Sequence, residues 1–252
     1  MRLDHRDYID VIASDSARLL AALDAGRARV IPWSDEWKVQ DCAQHVGAVH
    51  RVVAQVIEGR PTTTFAAFRE LAVPDSSDPA LGQWIAASTT ALLDQLRTVA
   101  ADEECWSWWP AGGTVGFWAR RMAQETLVHR WDVEIGAGAS MVPIDAALAA
   151  DGIDEYLEIF VARVRAQAAA PGNGETAHVH CTDAAGEWLV TFPSAGTSEL
   201  RREHAKGDVA FRGPAEGLLL YLWGRVDAAA AGVEVIGDDG VVARWRELVP
   251  AI

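Results

Sequence analysis

The first half of the chain repeats one pattern: an amphipathic stretch of helical length, then a connection that contains glycine or proline. Apolar residues recur at intervals of three and four, which places them on one face of a helix. The predicted helices cover residues 6–25, 40–58, 79–100 and 117–135. Because such helices bury their apolar faces against one another, the pattern predicts a four-helix bundle. A shorter helix is also conceivable at residues 65–71.

Beyond Gly138 the pattern changes. A helix is predicted from about Asp145 to Ala168, and two β-rich runs that flank the turn residues DAAG predict a hairpin. The hairpin strands are residues 176–181 and 187–192, further strands are expected at 208–211 and 233–236, and helices are expected after Pro214 and at 241–248. We therefore predict two domains: a bundle over residues 1–140 and a small α+β domain over residues 141–252.

The composition excludes several classes of partner. The formal charge of -14 arises from 36 acidic and 22 basic residues, which opposes binding to a nucleic-acid backbone. No apolar run approaches the length needed to cross a bilayer, so no membrane partner is expected. The first residues, MRLDHRDYID, lack the pattern of a signal peptide, which favours a cytoplasmic location. Three widely spaced cysteines fit reduced thiols.

Three residues of the predicted bundle have the chemistry of a metal site. Glu125 and His129 are four residues apart on a predicted helix, so both side chains project from one face. His45 lies beside Val46 on the second helix, near the face that should turn inward. Two histidines and a carboxylate can hold a catalytic zinc ion and leave a position open for water or substrate. On spacing alone, a buried structural histidine and a surface Glu–His pair remain the alternative.

The remaining histidines do not form an equally good set. His50 is five residues from His45 and should turn away from it. His178, His180 and His204 belong to the second predicted domain. His178 and His180 share one face of a predicted strand, but that pattern is more typical of a solvated face than of a metal site.

The N-terminal half resembles the DinB-like metal-binding bundles, and the whole chain resembles the mycothiol-dependent maleylpyruvate isomerase family of actinobacteria. The residues that carry the resemblance are WKVQDCAQH at 37–45, ETLVHRWD at 125–132 and GR at 224–225. The resemblance implies that His45, Glu125 and His129 bind zinc or another divalent metal. It implies that Arg225 reaches from the C-terminal domain toward this site. It also implies a sterol-carrier-like α+β fold for the C-terminal domain.

Three further residues have two interpretations each. Asp132 could accept the second N–H of a metal-bound His129, or it could be a solvated charge on the helix. Cys42, three residues before His45, could approach the site but is more simply a buried thiol. Arg225 follows an apolar helix, where an arginine is often only a C-terminal cation or an ion-pair partner.

The resemblance implies an enzyme that activates mycothiol, a low-molecular-weight thiol, at the metal. The thiol would add to a small electrophile or unsaturated acid such as maleylpyruvate, and rotation and elimination would then complete a cis–trans isomerisation. Arg225 would pair with a substrate carboxylate or stabilise an enolate.

Three different functions are also compatible with the sequence. A mycothiol S-transferase that acts in detoxification would use the same thiol chemistry, and the sequence does not separate it from the isomerase. A non-catalytic protein could use the same side chains to bind a metal or small ligand. A metal-dependent hydrolase would need a general base, and no residue beside the three candidate ligands is an obvious one.

Overall fold

The structure is a computed structural model that describes residues 2–34, 36–59, 70–162, 171–195 and 197–249. The chain divides into two compact units, one formed by Leu3–Val142 and the other by Pro143–Ile252 together with Met1–Arg2. The short helix expected at residues 65–71 falls mainly outside the described residues. In the described part of the chain, every helix is too short or too polar to span a membrane.

The described residues of the N-terminal unit form the four predicted helices. These are α1 (His5–Gly26), α2 (Val39–Gly59), α3 (Leu81–Thr98) and α4 (Val115–Ala137). Helix α4 begins earlier than predicted because the Thr114 side chain accepts a hydrogen bond from the Phe117 backbone N–H and caps the helix. Gly138 ends α4 in the left-handed conformation, with φ of 67°. The predicted helical bundle is confirmed.

Helix α4 is the most enclosed of the four, since most of its residues are buried. Its buried residues include several charged ones, among them Arg121, Arg130, Asp132 and Glu134. Charged side chains are almost never fully buried unless they are paired or bind a ligand. Arg130 and Glu134 form such a pair, with Nη1 and Oε2 2.9 Å apart. The buried charged residues of α4 lose the free energy of hydration, and pairing of the Arg130–Glu134 kind offsets this loss.

His50 is a neutral residue inside the bundle. It is fully buried, with Nδ1 3.1 Å from Thr89 Oγ1 and Nε2 2.9 Å from Thr126 Oγ1. Burial is the main reason that the pKa of His50 falls from 6.5 to about 4; the charge of Glu125 acts to raise this pKa and that of His45 acts to lower it. His50 is thus a structural histidine that stays uncharged in the folded bundle at neutral pH.

The bundle should consequently lose stability in mild acid. The unfolded chain gains a proton at His50 near pH 6.5, whereas the folded bundle gains it only near pH 4. Neutral His50 therefore contributes its full stabilisation above pH 6.5. As the pH falls from 6.5 to about 4, the free energy of unfolding decreases by about 3 kcal/mol. In His50→Gln, which can hydrogen bond but does not titrate, that free energy should fall less steeply. Urea unfolding at several pH values measures both slopes, and equal slopes would contradict the prediction.

The C-terminal unit combines helices with one sheet. Its elements are α5 (Ala146–Glu155), a π-helix (Tyr156–Val161), β1 (Glu175–Cys181), β2 (Glu187–Phe192), β3 (Glu199–Arg201), β4 (Val209–Gly213), α6 (Ala215–Leu222), β5 (Glu234–Gly237) and α7 (Asp239–Leu248). The strand order is β3-β2-β1-β4-β5. The β1–β4 pair is parallel, and the other neighbouring strands are antiparallel. The predicted α+β fold and its hairpin are confirmed.

Two features of this unit differ from the sequence prediction. The helix expected to run from Asp145 to Ala168 is α-helical only to Glu155 and then widens into a π-helix, and residues 163–170 lie outside the described part. Apolar spacing does not distinguish these two helix types over one turn. Strand β3 was not predicted, because three residues are too few to show an alternating pattern.

The two faces of the sheet differ in polarity, as alternation along a strand requires. One face packs into the core and carries Ala177, Val179, Trp188, Val190 and Phe211. The opposite face of the β1–β2 hairpin carries His178, His180 and Glu187. The hairpin thus separates an apolar layer from a group of titratable side chains.

Candidate metal centre

His45 on α2 and Glu125 and His129 on α4 bring three ligand atoms together. His45 Nε2 lies 2.8 Å from Glu125 Oε1, and His129 Nε2 lies 3.4 Å from the same oxygen. All three ligand atoms lie within 4.8 Å of one another. Ligands of a tetrahedral zinc ion at about 2.0–2.1 Å are roughly 3.3 Å apart. The spacing therefore suits one shared ion, and metal binding by these residues stays a prediction.

Glu125 is held as a carboxylate. Arg121, one turn earlier on α4, donates from Nη2 to Glu125 Oε2 at 3.0 Å and leaves Oε1 to the two histidines. Burial by itself raises the pKa of Glu125, but the charge on His129, the hydrogen bonds from both histidines and the Arg121 charge outweigh it. The pKa is held well below its ordinary value, so Glu125 is ionised at neutral pH.

Asp132 orients His129 by a hydrogen bond to Nδ1, the ring nitrogen that does not contact Glu125. This nitrogen lies 2.9 Å from Asp132 Oδ2, and Asp132 is 2% exposed. The alternative of a solvated charge at Asp132 is therefore wrong. Burial lowers the pKa of His129, but Cys42, Glu125 and the hydrogen bond to Asp132 outweigh this and raise it well above its ordinary value. Without an ion, His129 therefore carries a proton on both ring nitrogens at neutral pH. Asp132 accepts the hydrogen bond from Nδ1–H, so Nε2 is the nitrogen that would give up its proton and offer a lone pair to an ion at the candidate centre.

The contacts of Trp37 and the Arg121–Glu125 pair were not foreseen from the sequence, whereas an approach of Cys42 to the site was one of its two interpretations. The Trp37 ring packs 5.2 Å from the His45 ring and 6.0 Å from the His129 ring, centroid to centroid, and covers both from one side. Cys42 meets both of its interpretations, since it is fully buried and its Sγ lies 3.5 Å from His129 Nδ1. The i, i+4 spacing of Arg121 and Glu125 could have revealed that pair. No local signal reveals Trp37, because it lies in the loop before α2.

Arg225 lies in the C-terminal unit, just after α6. Its backbone N–H donates to Leu220 O at 2.9 Å, and its Nη1 donates to Trp223 O at 2.9 Å. The Trp223 ring packs against Tyr156 and Phe160, with centroids 5.1 and 4.9 Å away. Both of these residues belong to the π-helix, a distortion often found at functional sites. The catalytic role of Arg225 stays a prediction.

The fold and the site define a class of protein: a helical bundle that presents two histidines and a carboxylate to one point, joined to an α+β unit. Within this class the chain belongs to the mycothiol-dependent maleylpyruvate isomerase family. Residues 10–134 match the family model described as the mycothiol maleylpyruvate isomerase N-terminal domain, and residues 147–244 match the MDMPI C-terminal domain. The resemblance inferred from the sequence motifs is thereby confirmed.

Solved structures show the same fold. A mutant of the mycothiol-dependent maleylpyruvate isomerase aligns with a TM-score of 0.58 and 13% identity over 92% of this chain and 93% of that chain. Another structure of the mycothiol-dependent maleylpyruvate isomerase aligns with a TM-score of 0.56 and 16% identity over the same shares. The UbiJ-SCP2 ubiquinone synthesis protein covers 43% of this chain at 19% identity, with a TM-score of 0.30 that is too low to support an inference. The comparison with curated proteins gave no match.

Proposed function

We propose that this protein is a zinc- and mycothiol-dependent enzyme of the maleylpyruvate isomerase type, which catalyses cis–trans isomerisation of a small unsaturated acid. The observation that carries the proposal is that His45, Glu125 and His129 each bring one ligand atom to within 4.8 Å of the other two, on helices of the bundle. Membership of the family supplies the reaction type. A double bond that gains a thiol becomes a single bond, so rotation and elimination give the trans isomer.

The residues present fit a zinc ion. Two imidazole nitrogens and one carboxylate oxygen are borderline ligands that suit zinc, although they also suit iron or nickel. A zinc ion bound by three protein ligands lowers the pKa of a thiol that takes a further position, which makes the thiolate available at neutral pH. The three side chains would hold such an ion, and the carboxylate of Glu125 would offset part of its charge.

Neighbouring residues of the bundle keep these three in position. Asp132 accepts the Nδ1 proton of His129 and fixes which nitrogen faces the centre. Arg121 binds the second oxygen of Glu125 and prevents the carboxylate from turning. Trp37 packs on both imidazole rings and limits access of water from its side. This support reduces the reorganisation that binding and reaction require.

We assign recognition of the substrate carboxylate to Arg225, on the basis of the family resemblance. A guanidinium group binds a carboxylate through two parallel hydrogen bonds and stabilises the negative charge that develops on an enolate. The chain's net charge of -14 does not contradict an anionic substrate, because one placed arginine can provide the local positive charge.

The reaction can be tested with purified protein, mycothiol and maleylpyruvate. We expect fumarylpyruvate to form only when both zinc and mycothiol are supplied, because the thiol needs the metal to ionise at neutral pH. Free thiol should be the same before and after many turnovers, since an isomerase releases it each time. Omission of the thiol, and treatment with a chelator, are the two controls.

Each different result of this experiment points to a different function. Loss of one thiol for each substrate consumed would establish a mycothiol S-transferase. Product formation by the chelated protein would contradict the metal-dependent mechanism. No reaction with zinc and thiol present, despite tight zinc binding, would favour a protein that binds a metal or small ligand without catalysis.

A further inference from the structure

Four side chains converge within the C-terminal unit, and none of them belongs to the candidate metal centre of the bundle. They form the C-terminal histidine cluster, which consists of His178, His180, Glu187 and His204. One ligand atom from each lies within 4.8 Å of every other. The imidazole centroids are 5.3 to 6.3 Å apart. Nothing in the proposed function uses these residues.

The sheet fixes three of the four. His178 and His180 are two residues apart on β1, so alternation places them on the same face. Glu187, the first residue of β2, is the direct antiparallel partner of His180. Cross-strand partners have neighbouring side chains. Residues 175–180 of β1 pair with residues 187–192 of β2, and the other face of this hairpin packs into the core, so the sheet fixes the relative positions of these three side chains.

His204 completes the cluster from another segment. It follows β3 in the chain, and its side chain is 77% exposed, whereas that of His178 is 9% exposed. The cluster thus ranges from a buried ring at one side to a solvent-facing ring at the other. An ion would have an entry path from solvent past His204.

All three rings approach one oxygen atom. His178 Nε2 lies 3.2 Å from Glu187 Oε2, His180 Nδ1 lies 3.7 Å from it, and His204 Nδ1 makes a short contact to it. A carboxylate oxygen has about two lone pairs, so it cannot accept good hydrogen bonds from three imidazole rings at once, and His180 Nδ1 lies beyond hydrogen-bond distance. A cation among the four groups removes this conflict, because each nitrogen then presents a lone pair and the carboxylate presents its charge.

We propose that the C-terminal histidine cluster binds a divalent transition-metal ion of the zinc class. Imidazole nitrogens favour zinc, copper and nickel over magnesium and calcium. The distances of 3.2 and 3.7 Å bracket the separation of roughly 3.3 Å between ligands of a tetrahedral zinc ion. Four protein ligands close the coordination sphere, which is typical of structural sites. The ion would therefore tie the segment after β3 to the β1–β2 hairpin.

The neighbouring charges are compatible with a cation. Arg212 is the β4 partner of His180, but its Nη1 lies 3.5 Å from Glu234 Oε2, which offsets its charge. The acidic balance of the whole chain, with a net charge of -14, also favours cations. The ligand set differs from that of the bundle, which has two histidines and leaves a position open.

Metal titration of the full chain tests the proposal. Metal-free protein is titrated with zinc in competition with a chromophoric chelator, and the ions bound tightly per chain are counted. Wild type should bind about two, and both His180→Ala/His204→Ala and His45→Ala/His129→Ala should bind about one. Arg201→Ala, which removes an exposed side chain from β3 near the cluster, is the matched control and should bind as wild type.

The double variant without the bundle histidines isolates the cluster from the proposed function. In that variant, zinc should raise the midpoint of thermal unfolding, and the further change His204→Ala should abolish most of the shift. His204 is exposed, so its loss should not prevent folding. The proposal is overturned if the variant without bundle histidines binds no zinc, binds it only at millimolar concentration, or keeps its shift after His204→Ala. Failure of the bundle site alone would instead appear as unchanged zinc binding when His45 and His129 are replaced.

Discussion

Replacement of His129 by alanine should lower turnover by about a thousandfold or more, because a catalytic metal contributes several kcal/mol to the transition state. His129 Nε2 lies 3.4 Å from Glu125 Oε1, and its other nitrogen is held by Asp132. Loss of this ring leaves only His45 and Glu125 of the three candidate ligands, and it removes the hydrogen-bond partner of Asp132 Oδ2. His45→Ala should have the same effect through the second imidazole. Isomerisation rate and zinc content are measured together on the same preparations.

Zinc content should fall by about one ion per chain in each variant, whatever the C-terminal histidine cluster retains. His5→Ala is the matched control, because His5 begins α1 in the same bundle and its Nε2 instead contacts Leu96 O at 2.8 Å. That variant should keep both zinc and turnover. Full activity in His45→Ala and His129→Ala would refute the proposed centre. Loss of helical circular dichroism in either would show that the histidine is needed for folding.

The bundle and its candidate site follow from local sequence patterns to a large extent. Apolar spacing predicts the four helices, and helical periodicity alone places Glu125 and His129 on one face. The position of His45 opposite them required only that the apolar face of α2 turn inward. The two interpretations of Asp132 could not be separated by sequence, because a polar residue on an amphipathic helix can face either way until the neighbouring helices are placed.

The C-terminal histidine cluster could not be predicted from local sequence patterns. The sequence correctly places His178 and His180 on one strand face, yet it favours a solvated face there. His178 is in fact 7% exposed, and Glu187 and His204 join it. The approach of Glu187 depends on the register of the β1–β2 hairpin, and that of His204 depends on β3, which is too short to predict. Contacts between strands are set by pairing, which spacing within one strand does not encode.

Arg225→Ala should lower turnover about 100-fold while zinc content stays unchanged, since removal of one charge-stabilising donor typically has an effect of this size. Arg225 is assigned to the substrate carboxylate and not to the metal, so the two measurements should separate. Arg225→Lys should recover part of the loss, because an ammonium group keeps the charge but cannot form the two parallel hydrogen bonds of a guanidinium group. Rates are measured over a range of maleylpyruvate concentrations to obtain kcat and KM.

If the role of Arg225 is purely structural, the effects on stability and turnover should differ from those above. Its Nη1 donates to Trp223 O at 2.9 Å, so the side chain could serve only to close the turn after α6. In that case Arg225→Ala should lower the thermal unfolding midpoint, and lysine should not restore turnover through its charge. Arg212→Ala is the matched control, since it removes an exposed arginine from the same unit and should leave kcat/KM intact. Retention of stability with loss of kcat/KM would assign Arg225 to the reaction, because a residue that only supports the fold affects both.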